Sequence, residues 1–350
     1  MKNCIKMSKN IDPPDNTGKE FIYPDNYKES LDTYLAYAGL VDDEGKRFST
    51  NTPNEGRFHT KWLNMMYPRL KLARNLMTDD GVIFISIDDN EQANLKKLCD
   101  EIFGEENYIQ EIIWEKKFAP QNDAKYFSLN HEQVFCYAKN KSLFKRNLLP
   151  MTEDQISRYK NPDNDPRGAW QSDNLTVSTY SASYDYPITN PNGQIINPPH
   201  GRCWRTSKEK LNELIADNRI WFGSDSNGVP RIKRFLSEVQ QGMVPISIFY
   251  HTEVGHPQSA SKYLKELFND KKYFDYPKPL GLIKRLLQIS TFKNSISLDF
   301  FSGSGTTAHA IMALNAEDGG KRKCISVQLP EPTDEKSEAY KAGYKTIAEI

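Results

Sequence analysis

No stretch of this chain stays apolar for anything near the roughly 20 residues a membrane-spanning helix needs. The longest strongly apolar run is Val82 to Ile87. The opening residues, MKNCIKMSKN, have no apolar core of the kind a secretory signal carries. Net charge is absent too: 46 Lys+Arg stand against 46 Asp+Glu, which excludes a generally basic nucleic-acid binder but leaves room for local basic patches. The cysteines (Cys4, Cys99, Cys136, Cys203, Cys324) form no CxxC pair. Neither a zinc ribbon nor a disulfide framework is therefore expected, and a reducing cytoplasm is the simplest setting. Internal repeats and low-complexity tracts are also lacking.

What is present suits a globular protein with a sizeable core: 350 residues, 26% charged and 38% hydrophobic. Trp62, Met66, Leu70, Ala73 and Met77 recur at helical spacing and end at the turn signal Asp79-Asp80-Gly81. The run VIFISI reads as a buried parallel strand. Asp88, Asp89 and Asn90 are candidate caps for a following helix that buries Leu95, Leu98, Ile102 and Phe103. Such alternation predicts a parallel α/β sheet over 11–108. Between 109 and 276 the pattern turns irregular and rich in Pro, Asn, Tyr and Trp, as in NPDNDPRGAW and ITNPNGQIINPPHGRCW. Its tryptophans argue for an inserted folded domain rather than disorder. Over 277–350 the α/β pattern returns. It comprises a helix in KPLGLIKRLLQIST, a strand in SISLDFF, a helix in AHAIMALNA, a buried strand in KCISVQL and a polar end with one amphipathic helix.

Two motifs carry chemistry. In Leu298-Asp299-Phe300-Phe301-Ser302-Gly303-Ser304-Gly305-Thr306-Thr307 a strand enters a loop with alternate glycines, then a helix opens. The glycines allow close backbone approach by a ligand, and the helix N-terminus suits a carboxylate or phosphate. No Lys-Ser/Thr follows, so it is not a P-loop. Ala308 stands at the third position of the dinucleotide fingerprint, which leaves a dinucleotide-binding oxidoreductase as a distant alternative. The second motif is Ile11-Asp12-Pro13-Pro14-Asp15-Asn16-Thr17-Gly18. Its two prolines fix the backbone, so that one carboxylate and one carbonyl form a rigid pair of acceptors for an NH₂ group. Alone, it also reads as a surface turn.

Together the motifs resemble the amino-group DNA methyltransferases, which pair a catalytic Asp-Pro-Pro-Tyr with a Phe-x-Gly-x-Gly loop for S-adenosylmethionine. The order here is catalytic motif, insertion, then cofactor loop. That order is similar to the β class and, within it, to the modification subunit of type III restriction–modification systems. The segments GRFHTKWLNMMYPRLKLARNLM, DDGVIFISIDDNE, PRIKRFLSE, FDYPKPLGLIKRLL and LDFFSGSGTTAHA extend the likeness over nearly the whole chain. The resemblance implies a Rossmann-like S-adenosylmethionine-dependent sheet with a target-recognition insertion. It also implies N6-adenine-specific methylation of double-stranded DNA, a homodimer, and a restriction–helicase subunit as partner. Cytosine-specific members usually begin the tetrapeptide with Ser, so Asp12 favours adenine.

Carried over residue by residue, the resemblance makes Asp12 and the Pro13 carbonyl acceptors for the target amine, within the tetrapeptide Asp12, Pro13, Pro14 and Asp15. It makes Asp299, Phe301, Gly303, Gly305 and Thr306 the cofactor loop, with Lys278 beside the methionine part. An acidic ribose ligand is expected after the next strand, where Gln328 and then Glu331 stand. Position 15 departs from the family: the aromatic ring that stacks on the flipped base is Asp15 here. Such stacking contributes roughly 1–3 kcal/mol. The N-terminal residues also read as too polar for the strand expected before the tetrapeptide, and both ends read as truncated relative to the family. A catalytically impaired remnant that keeps DNA or cofactor binding is therefore the alternative reading.

His131, His200, His251 and His256 lack metal-ligand spacing, and no metal site is expected. Lys116, Lys117, Lys125, Lys139, Lys141, Lys145 and Arg146 give segment 115–150 a basic bias. Pro230-Arg231-Ile232-Lys233-Arg234-Phe235 reads either as a phosphate-gripping patch or as the start of a surface helix.

Overall fold

The computed structural model describes residues 7–16, 58–239 and 242–350. Thr17 and Gly18 of the tetrapeptide segment lie outside the described residues. Contacts divide the chain into two compact units. One contains the chain up to Asn147 together with Pro245–Ile350, and the other is Leu148–Val244.

The first unit is built on a seven-stranded sheet. Its strands are β1 (Met7–Ile11), β2 (Val82–Ile87), β3 (Tyr108–Glu115), β4 (His131–Ala138), β5 (Ile248–Phe249), β6 (Ile296–Asp299) and β7 (Lys323–Ser326), in the order β5-β3-β4-β2-β1-β6-β7. Strand β1 runs parallel to both β2 and β6, with Ile11 opposite Ile85 and Lys9 opposite Leu298. Only β4 is antiparallel to its neighbours. Helices α1 (Phe58–Leu76), α2 (Gln92–Phe103), α3 (Leu280–Ser290) and α4 (Thr306–Asp318) complete the alternation.

All six residues of β2 are buried, as expected for a strand covered on both faces. Ile83, Ile85 and Ile87 form one core with Ile11 and Phe135, packed against Trp62, Met66, Leu70 and Ala73 of α1 and Leu95, Cys99 and Phe103 of α2. The helical spacing read from the sequence for these two helices is thus the spacing of their buried faces.

From β1 the chain builds outward on one side through β2, β4 and β3, and later on the other side through β6 and β7. Where that direction reverses, two neighbouring parallel strands send their following loops to opposite faces and leave a crevice at their carboxyl ends. Asp12 and the Asp299–Thr306 loop emerge at that crevice.

Several expectations need correction. Met7–Ile11 do form a strand: hydrogen bonding to neighbours on both edges, with Ile11 buried, outweighs their polar composition, while the residues before Met7 lie outside the described ones. The insertion is narrower than 109–276, because β3 and β4 pair within the main sheet and β5 runs parallel to β3. The strand at Lys323–Ser326 lies at the sheet edge, so Ile325 is exposed rather than buried. Helix α2 is capped at Glu91, not by Asp88, Asp89 or Asn90; Asp88 instead accepts from the Asn90 N–H in a local turn. The polar end folds into one short helix, Glu338–Lys341, and a 3₁₀ turn at Ile347–Glu349.

In the second unit a three-stranded antiparallel sheet joins Trp170–Asn174, Arg231–Phe235 and Ile220–Trp221. Leu175, Ile188, Trp204, Leu211, Ile220 and Phe222 form its core, so the aromatic-rich insertion is folded. Arg231–Phe235 is a strand, not a helix start. Lys233 is fully buried and held by Asp163 and, at 3.1 Å, by Asp165, while Arg234 pairs with Asp173 at 2.7 Å. Lys233 is therefore a core ion pair and leaves no cation for phosphate. No helix among the described residues is long and apolar enough to cross a membrane.

Candidate active site

A cleft of about 550 Å³ opens at the carboxyl ends of β1 and β6. Asp12, Pro14, Lys278, Asp299, Phe301, Gly303, Thr306 and Gln328 all line it. The two sequence motifs, almost three hundred positions apart, thus meet in one place. Pro13 is buried beneath the corner, and Asp15 is exposed beside it.

The tetrapeptide is held by Trp62, which the sequence assigns to a buried helix face, and by His59 and Glu91, to which it assigns no role. The Trp62 indole N–H donates to the Pro14 carbonyl at 2.9 Å. Asn16 donates to the buried Glu91 carboxylate at 2.5 Å, and His59 Nδ1 lies 2.7 Å from the same oxygen. Helices α1 and α2 therefore fix the strand exit from both sides, and with two consecutive prolines the corner has little freedom left.

Around Asp12 the charges form a chain. Lys278 Nζ stands 3.2 Å from Asp12 Oδ1 and also bonds the Glu132 carboxylate, whose other oxygen lies 3.4 Å from Lys116 Nζ. The Lys278 ammonium sits 5.3 Å from the Trp114 ring centre. Burial opposes the charge on Lys278, but Asp12 and Glu132 outweigh it and hold the ammonium protonated beyond the ordinary lysine range. The Asp12 carboxyl is pushed up to about 6, first by burial and also by Glu132, with Lys278 pulling the other way. Although Asp15 reaches solvent, desolvation by the protein packed around its carboxyl, then Asp88 and Asp12, push that carboxyl up to about 7. Glu132 has no role in the sequence reading; it is the second residue of β4, at the same end of the sheet as Asp12.

In the glycine loop, Asp299 is occupied in holding the loop shut. It accepts the Phe301 N–H at 3.1 Å and the Thr307 hydroxyl at 2.7 Å, so it shapes the turn rather than reaching outward. Burial pushes its carboxyl up to about 6 against those two bonds. Gln328 accepts the Gly303 N–H at 2.8 Å, which ties the loop to the end of β7. Gly303 and Gly305 have φ of +50° and +74°, a region side chains disfavour. A Cβ on Gly303 would lie 3.2 Å from the Phe274 ring, whereas Gly305, the N-cap of α4, has open space around it and does not line the cleft. Lys278 lines the cleft, but its ammonium is committed to the two carboxylates.

The far wall comes from the C-terminal segment, of which the sequence singled out only Glu331. Glu331, Pro332, Thr333, Asp334, Ser337, Ala339 and Ile347 line the cleft there, secured by Thr333 and Ile347 backbone bonds to Lys345 and Glu331. Burial raises the Glu331 carboxyl above the ordinary range. Phe274 and Tyr276 supply aromatic surface from the segment before α3.

Against known proteins, the sequence profile of the N6_N4_Mtase family, described as DNA methylase, matches residues 9–331. The chain is 40% identical over 345 residues to the type III restriction-modification enzyme StyLTI Mod subunit of Salmonella typhimurium, covering 97% of this chain and 51% of that protein. The EcoPI Mod subunit of Escherichia phage P1 is 34% identical, with 97% of this chain and 56% of that protein covered. The type II methyltransferase M.KpnI of Klebsiella pneumoniae is 30% identical, with 97% and 79% covered. The chain spans about half the length of the Mod subunits it matches.

Proposed function

This chain belongs to the DNA methylase family, and from that premise we propose that it transfers a methyl group from S-adenosylmethionine to the exocyclic amine of adenine in double-stranded DNA. The observation that carries the reading is the single cleft in which Asp12 meets the Gly303 loop and the N-terminus of α4.

The cleft's residues fit the methyl donor. The α4 N-terminus suits its carboxylate. Glu331 suits its ribose hydroxyls, and Phe274, Phe301 and Tyr276 offer surface to its ring. When bound, that molecule supplies an electrophilic methyl on a sulfonium. The protein's own part is positioning and electrostatics. Ionised Asp12 accepts one hydrogen of the amine and the Pro13 carbonyl accepts the other, which turns the nitrogen lone pair toward the methyl. The Pro14 carbonyl, engaged by Trp62, keeps the corner from rotating. Lys278 keeps Asp12 in its accepting form and Glu132 keeps Lys278 in place. The target base must leave the duplex to reach this corner.

The folded insertion, Leu148–Val244, is the candidate for sequence recognition. The Mod-subunit relatives support a place in a type III restriction–modification system in the cytoplasm, with a second copy of the chain and a restriction–helicase subunit as partners. Transfer of labelled methyl from S-adenosylmethionine to unmethylated DNA, with calorimetry of S-adenosylmethionine binding alongside, tests the reading. Binding of a nicotinamide dinucleotide in place of S-adenosylmethionine would overturn it.

A further inference from the structure

The residues joining β3 to β4, 116–130, form a loop at the Asp12 edge of the sheet. Register fixes that placement. Glu115 lies opposite His131, Ile87 opposite Gln133, and the Gln133 side chain donates to Asp89 at 2.9 Å, just past the end of β2. Lys116 at the loop's root touches Glu132, which holds Lys278, which holds Asp12.

The loop is braced at its neck. Lys116 and Lys117 donate their backbone N–H groups to the Asn130 carbonyl at 2.9 and 3.1 Å. The Asn130 amide returns bonds to the carbonyls of Lys117 and Ala119. Ser128 Oγ donates to Asn130 Oδ1 and accepts the Gln121 N–H at 2.8 Å. Beyond this neck, Phe127 is 94% exposed and Tyr126 81%. Phe118, 62% exposed, stacks on His251 at 5.3 Å. Lys125 stands 5.1 Å from the Tyr126 ring centre, and Asp123 is the one acid in the 116–130 segment.

Adjacent aromatic rings held away from the core on a fixed neck, beside Lys117 and Lys125, which form no ion pair among the described residues, are poorly explained by folding, since burial of the rings would favour it. Flat apolar faces with neighbouring positive charge match unpaired nucleobases and their phosphates. Resting on the methyltransferase reading, we propose that the 116–130 loop is a wedge that enters DNA beside the target site. Tyr126 and Phe127 stack on bases left without partners there, and Lys117 and Lys125 contact the flanking phosphates. The loop thereby replaces stacking lost when the target base leaves the duplex.

The test compares binding of a short intact duplex with the same duplex carrying a central unpaired adenine. Variants are Tyr126→Ala with Phe127→Ala, and separately Lys117→Ala with Lys125→Ala; all four residues are exposed. The parent is expected to prefer the unpaired duplex, and the aromatic pair of changes to reduce that preference by about ten-fold or more, within the range of base–aromatic stacking. The lysine changes should weaken both duplexes and flatten the salt dependence by roughly one to two ions. A parent without the preference, or an aromatic variant that keeps it in full, overturns the proposal. So does binding to anionic phospholipid vesicles that depends on Tyr126 and Phe127 while DNA binding does not. Calorimetry with S-adenosylmethionine and labelled methyl transfer on the same proteins separate the two readings. Transfer with an unaltered aromatic variant sinks the wedge alone, and ring-dependent DNA binding without cofactor binding or transfer sinks the methyltransferase reading alone.

Discussion

Lys278 Nζ lies 3.2 Å from Asp12 Oδ1 and is at the same time bound to Glu132, so one ammonium is shared by two carboxylates at the cleft floor. Opposite charge so close lowers a carboxyl by roughly one to three pH units relative to the same site without it. Asp12, at about 6 with Lys278 present, therefore depends on this lysine to be ionised at neutral pH. Lys278→Met should move the acid limb of the transfer rate upward by roughly one to three pH units. Glu132→Gln should move it downward, because Glu132 raises Asp12. The pH profile of methyl transfer reads both shifts. Equal profiles for the parent and both variants would contradict the arrangement.

The same charges set how stability depends on pH. Asp12, Asp15 and Asp299 stand at about 6, 7 and 6 in the folded chain, against an ordinary 3.8. The native state thus binds protons more tightly than the unfolded one. The contribution of these groups is fullest on the acid side, below their unfolded values, and is lost as pH rises through about 6 to 7. Asp15→Asn should raise the melting temperature at about pH 8, and the gain should shrink toward about pH 4. Thermal unfolding followed across that window checks the sign; a gain confined to acid pH would refute it.

Gly303 tests the glycine loop. Its φ of +50° disfavours a side chain, and a Cβ there meets Phe274 at 3.2 Å. Gly303→Leu should abolish S-adenosylmethionine binding measured by calorimetry while circular dichroism still reports a folded chain. Gly305→Ala, with open space around it, should cost less.

Lys233 separates core from interface in the second unit. It is buried between Asp163 and Asp165, and removing one partner of a buried pair costs about 3–5 kcal/mol. Lys233→Ala should appear as lost stability in denaturant unfolding. Arg231→Ala, exposed at the start of the same strand, should leave stability nearly unchanged.

Helical spacing and the apolar β2 run made the α/β frame legible, because burial of one helix face or of a whole strand leaves a direct mark on composition. Asp12, Lys278 and the Gly303 loop were legible through motif and order. Strand β1 was not, since its place is set by backbone pairing that polar side chains do not reveal. The roles of Glu132, Trp62 and Glu91 were also hidden. Each lies far along the chain from the tetrapeptide and reaches it only through sheet register or helix packing. Lys233 misled for a related reason: its partners, Asp163 and Asp165, are seventy and sixty-eight positions away, so sequence shows the cation without its counter-ions.

In the proposed reaction this cleft methylates adenine through Asp12, at a rate held down by Asp15. The direct measurement is labelled methyl transfer to unmethylated DNA by the parent, Asp12→Ala and Asp15→Tyr, with the methylated base identified. The parent should produce N6-methyladenine. Asp12→Ala should remove that activity, and Asp15→Tyr should raise it roughly ten- to a hundred-fold by restoring a stacking surface. Transfer by Asp12→Ala at the parent's rate, or an Asp15→Tyr chain that binds S-adenosylmethionine yet gains nothing, would contradict the account.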